Sequence, residues 1–242
     1  MKKLLLGTAM VLAMGAGASA ADLPPMPGPG PVYSKGPPPM WGWTGCYVGG
    51  NIGFGWQNNS AFDPFLFLDT GTDTGTGFVG GGQVGCDYQF ASSWVVGIQG
   101  MFDGASVSGS HLYSGSATET LGTKTPWFGT FTGRIGYAFM PQTLLYFKGG
   151  AAWARNDFSD VDPANAPPFS GQASATRSGW TTGVGVEYAL QRNWSLFAEY
   201  NYLDFGRQNV ALTYNSINPY TYSERNSLQT VLVGVNLRFG GF

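Results

Sequence analysis

"TGCYVGGNIGFGW", residues 44–56, alternates with a period of two. Cys46, Val48, Ile52, Phe54 and Trp56 share one parity with Gly50, and Tyr47, Gly49, Asn51, Gly53 and Gly55 share the other. One face is apolar and the other is polar or bare, which is the pattern of a strand and not of a helix. Glycine costs backbone entropy and offers nothing to pack, so a ribbon this rich in glycine frays unless something outside it compensates. The solvent around the strand decides the fold.

The same unit recurs. Eight alternating segments can be placed at 46–56, 76–90, 94–106, 125–139, 144–154, 178–189, 194–204 and 228–239. Their connections alternate between short ("ASS", "MPQT", "LQRN") and long, the long ones at 57–75, 107–124, 155–177 and 205–227. An even strand count with short turns at one end and long loops at the other predicts an all-β chain, an eight-stranded antiparallel transmembrane up-and-down β-barrel.

Parity separates a membrane barrel from a soluble one. In the segment 125–139, Phe131, Ile135, Tyr137 and Phe139 oppose Thr130, Thr132 and Arg134. A soluble barrel of the lipocalin kind would turn the aromatics inward and needs a charged outer face. Only 11% of residues are charged and 15% are aromatic, and Trp and Tyr gather at segment ends as in interfacial girdles. The apolar face therefore points outward, into hydrocarbon, where closure of the ring satisfies every backbone group.

The opening MKKLLLGTAMVLAMGAGASA combines two lysines, an apolar run and Ala18-Ser19-Ala20, so residues 1–20 read as a secretory signal peptide cleaved after Ala20. A membrane-anchoring helix is the weaker reading, because the run is short and dotted with glycine. Residues 21–42 are too proline-rich for a sheet and read as a periplasmic arm, leaving 43–242 as the barrel. The net charge of −2 falls further when Lys2 and Lys3 leave, which argues against nucleic-acid binding.

Seven pieces in order, "WTGCYVGGNIGFGW", "GGGQVGCDYQ", "FGTFTGRIGYAF", "LLYFKGGAAW", "GWTTGVGVEYA", "NWSLFAEYNYLDFG" and "VLVGVNLRF", resemble the eight-stranded outer-membrane β-barrel family of alphaproteobacterial surface antigens, related to opacity-type porin-like proteins. The resemblance implies a cell outer membrane location in a Gram-negative envelope. It also implies contact with lipid and lipopolysaccharide, insertion by the outer-membrane assembly machinery, and loops open to host or environmental ligands. The function it implies is structural and surface-exposed; the alternative is a small porin-like channel. Gly234, Leu237 and Phe239 resemble the closing-strand assembly signal, although Phe242 offers a second terminal aromatic and a plain amphipathic last strand would look the same.

Departures from the family matter too. Gln99, Thr132 and Phe197 stand where relatives often carry charges, so the interior should be less charged than theirs. Arg134, Lys148, Glu187 and Glu199 face inward by parity and are expected to form ion pairs that fill the lumen. Cys46 and Cys86 stand where aromatics are usual. If Trp56 faces Thr76 in the first hairpin, Cys46 meets Cys86 on the lipid side at disulfide distance; another register would leave two free thiols.

Catalysis and cofactors find little support. His111 is the single histidine, set in "GSGSHLYSG" and read as a loop residue without a positioned base. One histidine and two cysteines make no metal site of their own. The "GTGFVGGG" run lacks the lysine and helix of a phosphate loop.

Overall fold

The computed structural model describes residues 41–63, 68–112, 120–162, 169–191, 193–214 and 217–240. The expected leader, and the expected arm up to residue 40, lie outside the described residues. Eight strands follow one another: β1 (Gly45–Asp63), β2 (Leu68–Phe90), β3 (Trp94–Leu112), β4 (Thr120–Met140), β5 (Thr143–Asp162), β6 (Phe169–Gln191), β7 (Trp194–Tyr214) and β8 (Ile217–Phe239). Each pairs antiparallel with the next, and β1 pairs with β8 from Cys46↔Phe239 to Phe62↔Ser223, closing the ring. The ring has no free edge.

The strands run 19 to 23 residues, about twice the 9–11 that a tilted strand needs to cross a bilayer. This corrects the sequence reading at both strand ends and loops. Much of each stretch read as a long loop, 57–75, 107–124, 155–177 and 205–227, continues as paired strand. Beyond the bilayer neither face meets hydrocarbon, so apolar alternation fades while the hydrogen-bond ladder goes on. His111 is corrected with them: it lies in β3 opposite Leu121, not in a loop.

Outward positions carry the apolar side chains. Ile52 is 69% exposed, Phe78 68% and Phe102 59%, fractions that only a hydrocarbon surround makes favourable. Cross-strand aromatic pairs mark the two rims. Trp94 and Tyr137 stack edge-on near the short turns, while Phe102–Trp127 and Trp180–Tyr202 stand toward the long hairpins.

The inward glycines have a packing reason. A Cβ at Gly85 would run into the Tyr47 ring, one at Gly185 into Tyr146, and one at Gly234 would lie 2.5 Å from Phe197 Cζ. Inward rings lie flat across the neighbouring strand, and only glycine leaves room for them.

Short turns and both described chain ends share one rim, which for such barrels is periplasmic. A cysteine introduced at exposed Thr176 is expected to react with a membrane-impermeant maleimide on intact cells, and one at Gln142 only after lysis. The reverse pattern would invert the topology.

Candidate functional site

The candidate site is the lumen, because the inward side chains of all eight strands converge there. Near the short-turn rim Trp43, Val95, Ala138, Leu144 and Ala189 form an apolar floor. Directly above it Arg134 binds Asp87 through Nε at 2.7 Å and through Nη2, and reaches Glu187 at 3.2 Å. Arg238 binds the same two carboxylates, Asp87 at 2.5 Å and Glu187 at 2.8 Å, and donates to the Trp43 carbonyl. The guanidiniums interleave with rings: Arg134 lies 4.8 Å from the Tyr47 centroid and 4.9 Å from Tyr146, and Arg238 lies 5.0 Å from Tyr47. Two cations, two anions and their stacked rings satisfy one another in one layer.

A second layer grows from the first by hydrogen bonds. Asn236 donates to Glu187, Gln83 to Asn236, Gln99 to Gln83 and Lys148 to Gln99, each between 2.6 and 3.1 Å. Lys148 ends on Glu199 at 2.7 Å, and Glu199 also accepts from Tyr146 and Asn201. The four expected residues thus fall into two pairs, Arg134–Glu187 and Lys148–Glu199, one in each layer. Asp87 and Arg238 are equal members of the lower pair's cluster. Their inward parity was readable, but parity alone does not say which inward residues touch.

Above these layers the lumen turns apolar. Val79, Met101, Val107, Phe128, Leu203 and Leu232 are at most 4% exposed and pack into one cluster. Sequence reading missed this plug by attending to the polar inward residues; the same parity count carried it. Farther out, Arg177 binds Glu224 at 3.0 Å, both buried, in stretches that the sequence presents as loops. Asp103 is the exception between polar layers and plug. It is fully buried beside Asn51, and its carboxylate completes no hydrogen bond of normal geometry.

At the wall, the expected register of the first hairpin holds: Trp56 meets Thr76, Phe54 meets Phe78, and Cys46 meets Cys86. The two cysteines form a disulfide on the lipid-facing side. Gly234 faces inward against Phe197, while Phe239 is 49% exposed at the seam opposite Cys46.

A family model described as the outer membrane protein beta-barrel domain matches residues 7–239. This chain belongs to that outer-membrane β-barrel family. A 31 kDa outer-membrane immunogenic protein of Brucella melitensis is 35% identical over 213 residues, covering 84% of this chain and 86% of the relative. A 25 kDa outer-membrane immunogenic protein of Brucella abortus is 26% identical over 246 residues, 99% of each chain. A 22 kDa outer membrane protein of Rhizobium leguminosarum is 29% identical over 202 residues, 83% of this chain and 80% of the relative. The outer-membrane barrel described here therefore resides in the outer membrane, with lipid and lipopolysaccharide around its wall.

Two substitutions in this barrel should move stability in opposite directions. Glu199→Ala strands Lys148 in the lumen, and breaking a buried pair typically costs about 3 to 5 kcal/mol. Asp103→Asn replaces a buried carboxyl whose oxygens complete no hydrogen bond of normal geometry, and is expected to raise the unfolding midpoint in detergent. Urea titrations of the refolded protein check both; an unchanged Glu199→Ala midpoint would place that residue outside the network. Alkylation of denatured, unreduced protein should modify no cysteine, because Cys46 and Cys86 are bonded.

Proposed function

We propose that this protein is a structural, surface-presenting barrel whose lumen is sealed, so that it neither conducts solutes nor catalyses a reaction. The observation that carries this reading is the filled cross-section: two hydrogen-bonded polar layers below and an apolar plug above. A solute crossing this lumen must separate Arg134 and Arg238 from two carboxylates and then pass an apolar plug, two barriers of opposite chemistry. The Arg134, Lys148, Glu187 and Glu199 network acts as the seal, and the Cys46–Cys86 bond ties the first hairpin without entering the lumen.

The long hairpins beyond the outer aromatic rim are then the working surface. The outer-membrane immunogenic relatives are consistent with such exposure, and binding specificity toward a host or environmental ligand would reside in those hairpin tips. Residues 1–20 direct export and 21–42 form the periplasmic arm. Gly234, Leu237 and Phe239 serve as the closing-strand signal for the assembly machinery. Their placement supports this, since Phe239 stays exposed at the seam where β8 meets β1.

Planar-bilayer recording of the purified, refolded protein tests the reading. The expected trace shows no reproducible unitary steps at either polarity; stepwise conductance of constant size would overturn the sealed-lumen assignment in favour of a channel.

A further inference from the structure

Outward of the girdle on the β4–β5 face lies a second feature that the sealed lumen does not use. Trp127 and Trp153 mark the outer interface there, and Lys124 and Arg155 follow on the outward side a few residues beyond them. Arg155 is two residues beyond Trp153 and opposite Trp127 in register, and Lys124 is opposite Asp157, two residues farther out, so at about 3.3 Å of rise per residue the two cations run from the Trp level into the headgroups above it. Lys124 is opposite Asp157 in register, and Arg155 gives its Nε to Asp157 at 3.1 Å. Ser174 donates to the same carboxylate at 2.8 Å. Asp157 thus aims Arg155 and leaves its two terminal guanidinium nitrogens for another anion.

The surroundings suit a phosphorylated sugar. A surface depression of about 440 Å³ joins Lys124 and Arg155 with Ser108, Ser159, Gln172 and Ser174, hydroxyls and an amide beside two cations. Ser174's hydrogen bond, and next to it the Arg155 guanidinium, hold the Asp157 carboxyl below the usual carboxylate range, so the cluster is one net positive charge at neutral pH.

A second depression, of about 770 Å³, runs toward the bilayer centre on the neighbouring lipid face. Phe54, Phe78 and Pro126 line it, and paired Gly80 and Gly104 form its bed. The two depressions are neighbours along β3 and β4, since Ser106 and Pro126 line the lower one while Ser108 and Lys124, two residues on, line the upper. Unlike the inward glycines, Gly80 and Gly104 serve no packing need of the protein. A Cβ at either would meet its neighbours only at 3.5 Å or more.

We propose that this face is a specific lipopolysaccharide site, with a lipid A phosphate held between Lys124 and Arg155 and one acyl chain lying in the groove over Gly80 and Gly104. Charge complementarity selects the headgroup, and the apolar depression directly below it on the same strands selects a ligand with an acyl chain beneath its phosphate. The site rests on the reading that the long hairpins are outside, where the outer leaflet is.

Lipid A binding to the refolded full-length protein in detergent, followed by native mass spectrometry, tests it. The expected result is one bound lipid A, roughly thirtyfold weaker in the Lys124→Gln/Arg155→Gln double variant, the product of two interfacial cations. Gly80→Leu/Gly104→Leu should weaken binding as well, and Arg225→Gln, an exposed cation on β8 that lines neither depression, should leave it unchanged. Unchanged affinity in the Lys124/Arg155 variant overturns the site, as does equal binding of dephosphorylated lipid A or of an acyl-free glucosamine phosphate. Heat-modifiable migration on gels establishes that each variant is folded. Detergent binding does not depend on orientation, whereas labelling of Thr176→Cys on cells does, so failure of the site and failure of the topology give different results.

Discussion

Hydrocarbon offers no partner for a backbone N–H or C=O, and from this constraint the rest of the barrel follows. β1 must find β8, and the seam from Cys46↔Phe239 outward completes a ring in which no strand ends on an open edge. Closure then fixes a small lumen, which has to be filled by whatever points inward. It also explains why glycine is abundant without making the sheet weak. The ladder supplies the order that glycine lacks, and bare inward positions let Tyr47, Tyr146 and Phe197 lie across their neighbours.

Filling that lumen is an electrostatic problem with a layered solution. Arg134 and Arg238 share Asp87 and Glu187, so neither carboxylate faces a low-dielectric interior alone. The amides of Gln83, Gln99 and Asn236 carry the hydrogen bonding on to Lys148 and Glu199, using neutral groups where further charge would need further compensation. Above them the aliphatic plug needs no partners at all. Buried ion pairs contribute little net stability, but a strand slipped by one residue would turn them toward lipid, so they help to hold register.

The wall has two kinds of glycine with different causes. Inward Gly85, Gly185 and Gly234 are covered by rings of the same chain, whereas Gly80 and Gly104 leave a trough facing the membrane. The long strands add a further distinction: outside the bilayer the ladder persists while the side chains become Ser, Thr, Asn and Gln, giving a polar extension that places Lys124 and Arg155 at the lipid headgroups.

Much of this was legible in the residues themselves. Period-two alternation, eight segments and alternating connector lengths determined an eight-stranded membrane barrel, because parity is local and the bilayer imposes it on every strand in the same way. The first-hairpin register was one of two the chain left open, and the ladder takes the one in which Trp56 faces Thr76 and Cys46 meets Cys86. Strand ends beyond the membrane were not legible, because His111 and its neighbours there carry no apolar signal. Nor was the choice of partners inside the lumen. Arg238 reaches Asp87 across 151 residues, and only the curvature of the closed ring, acting on all eight strands together, decides which inward side chains come within reach.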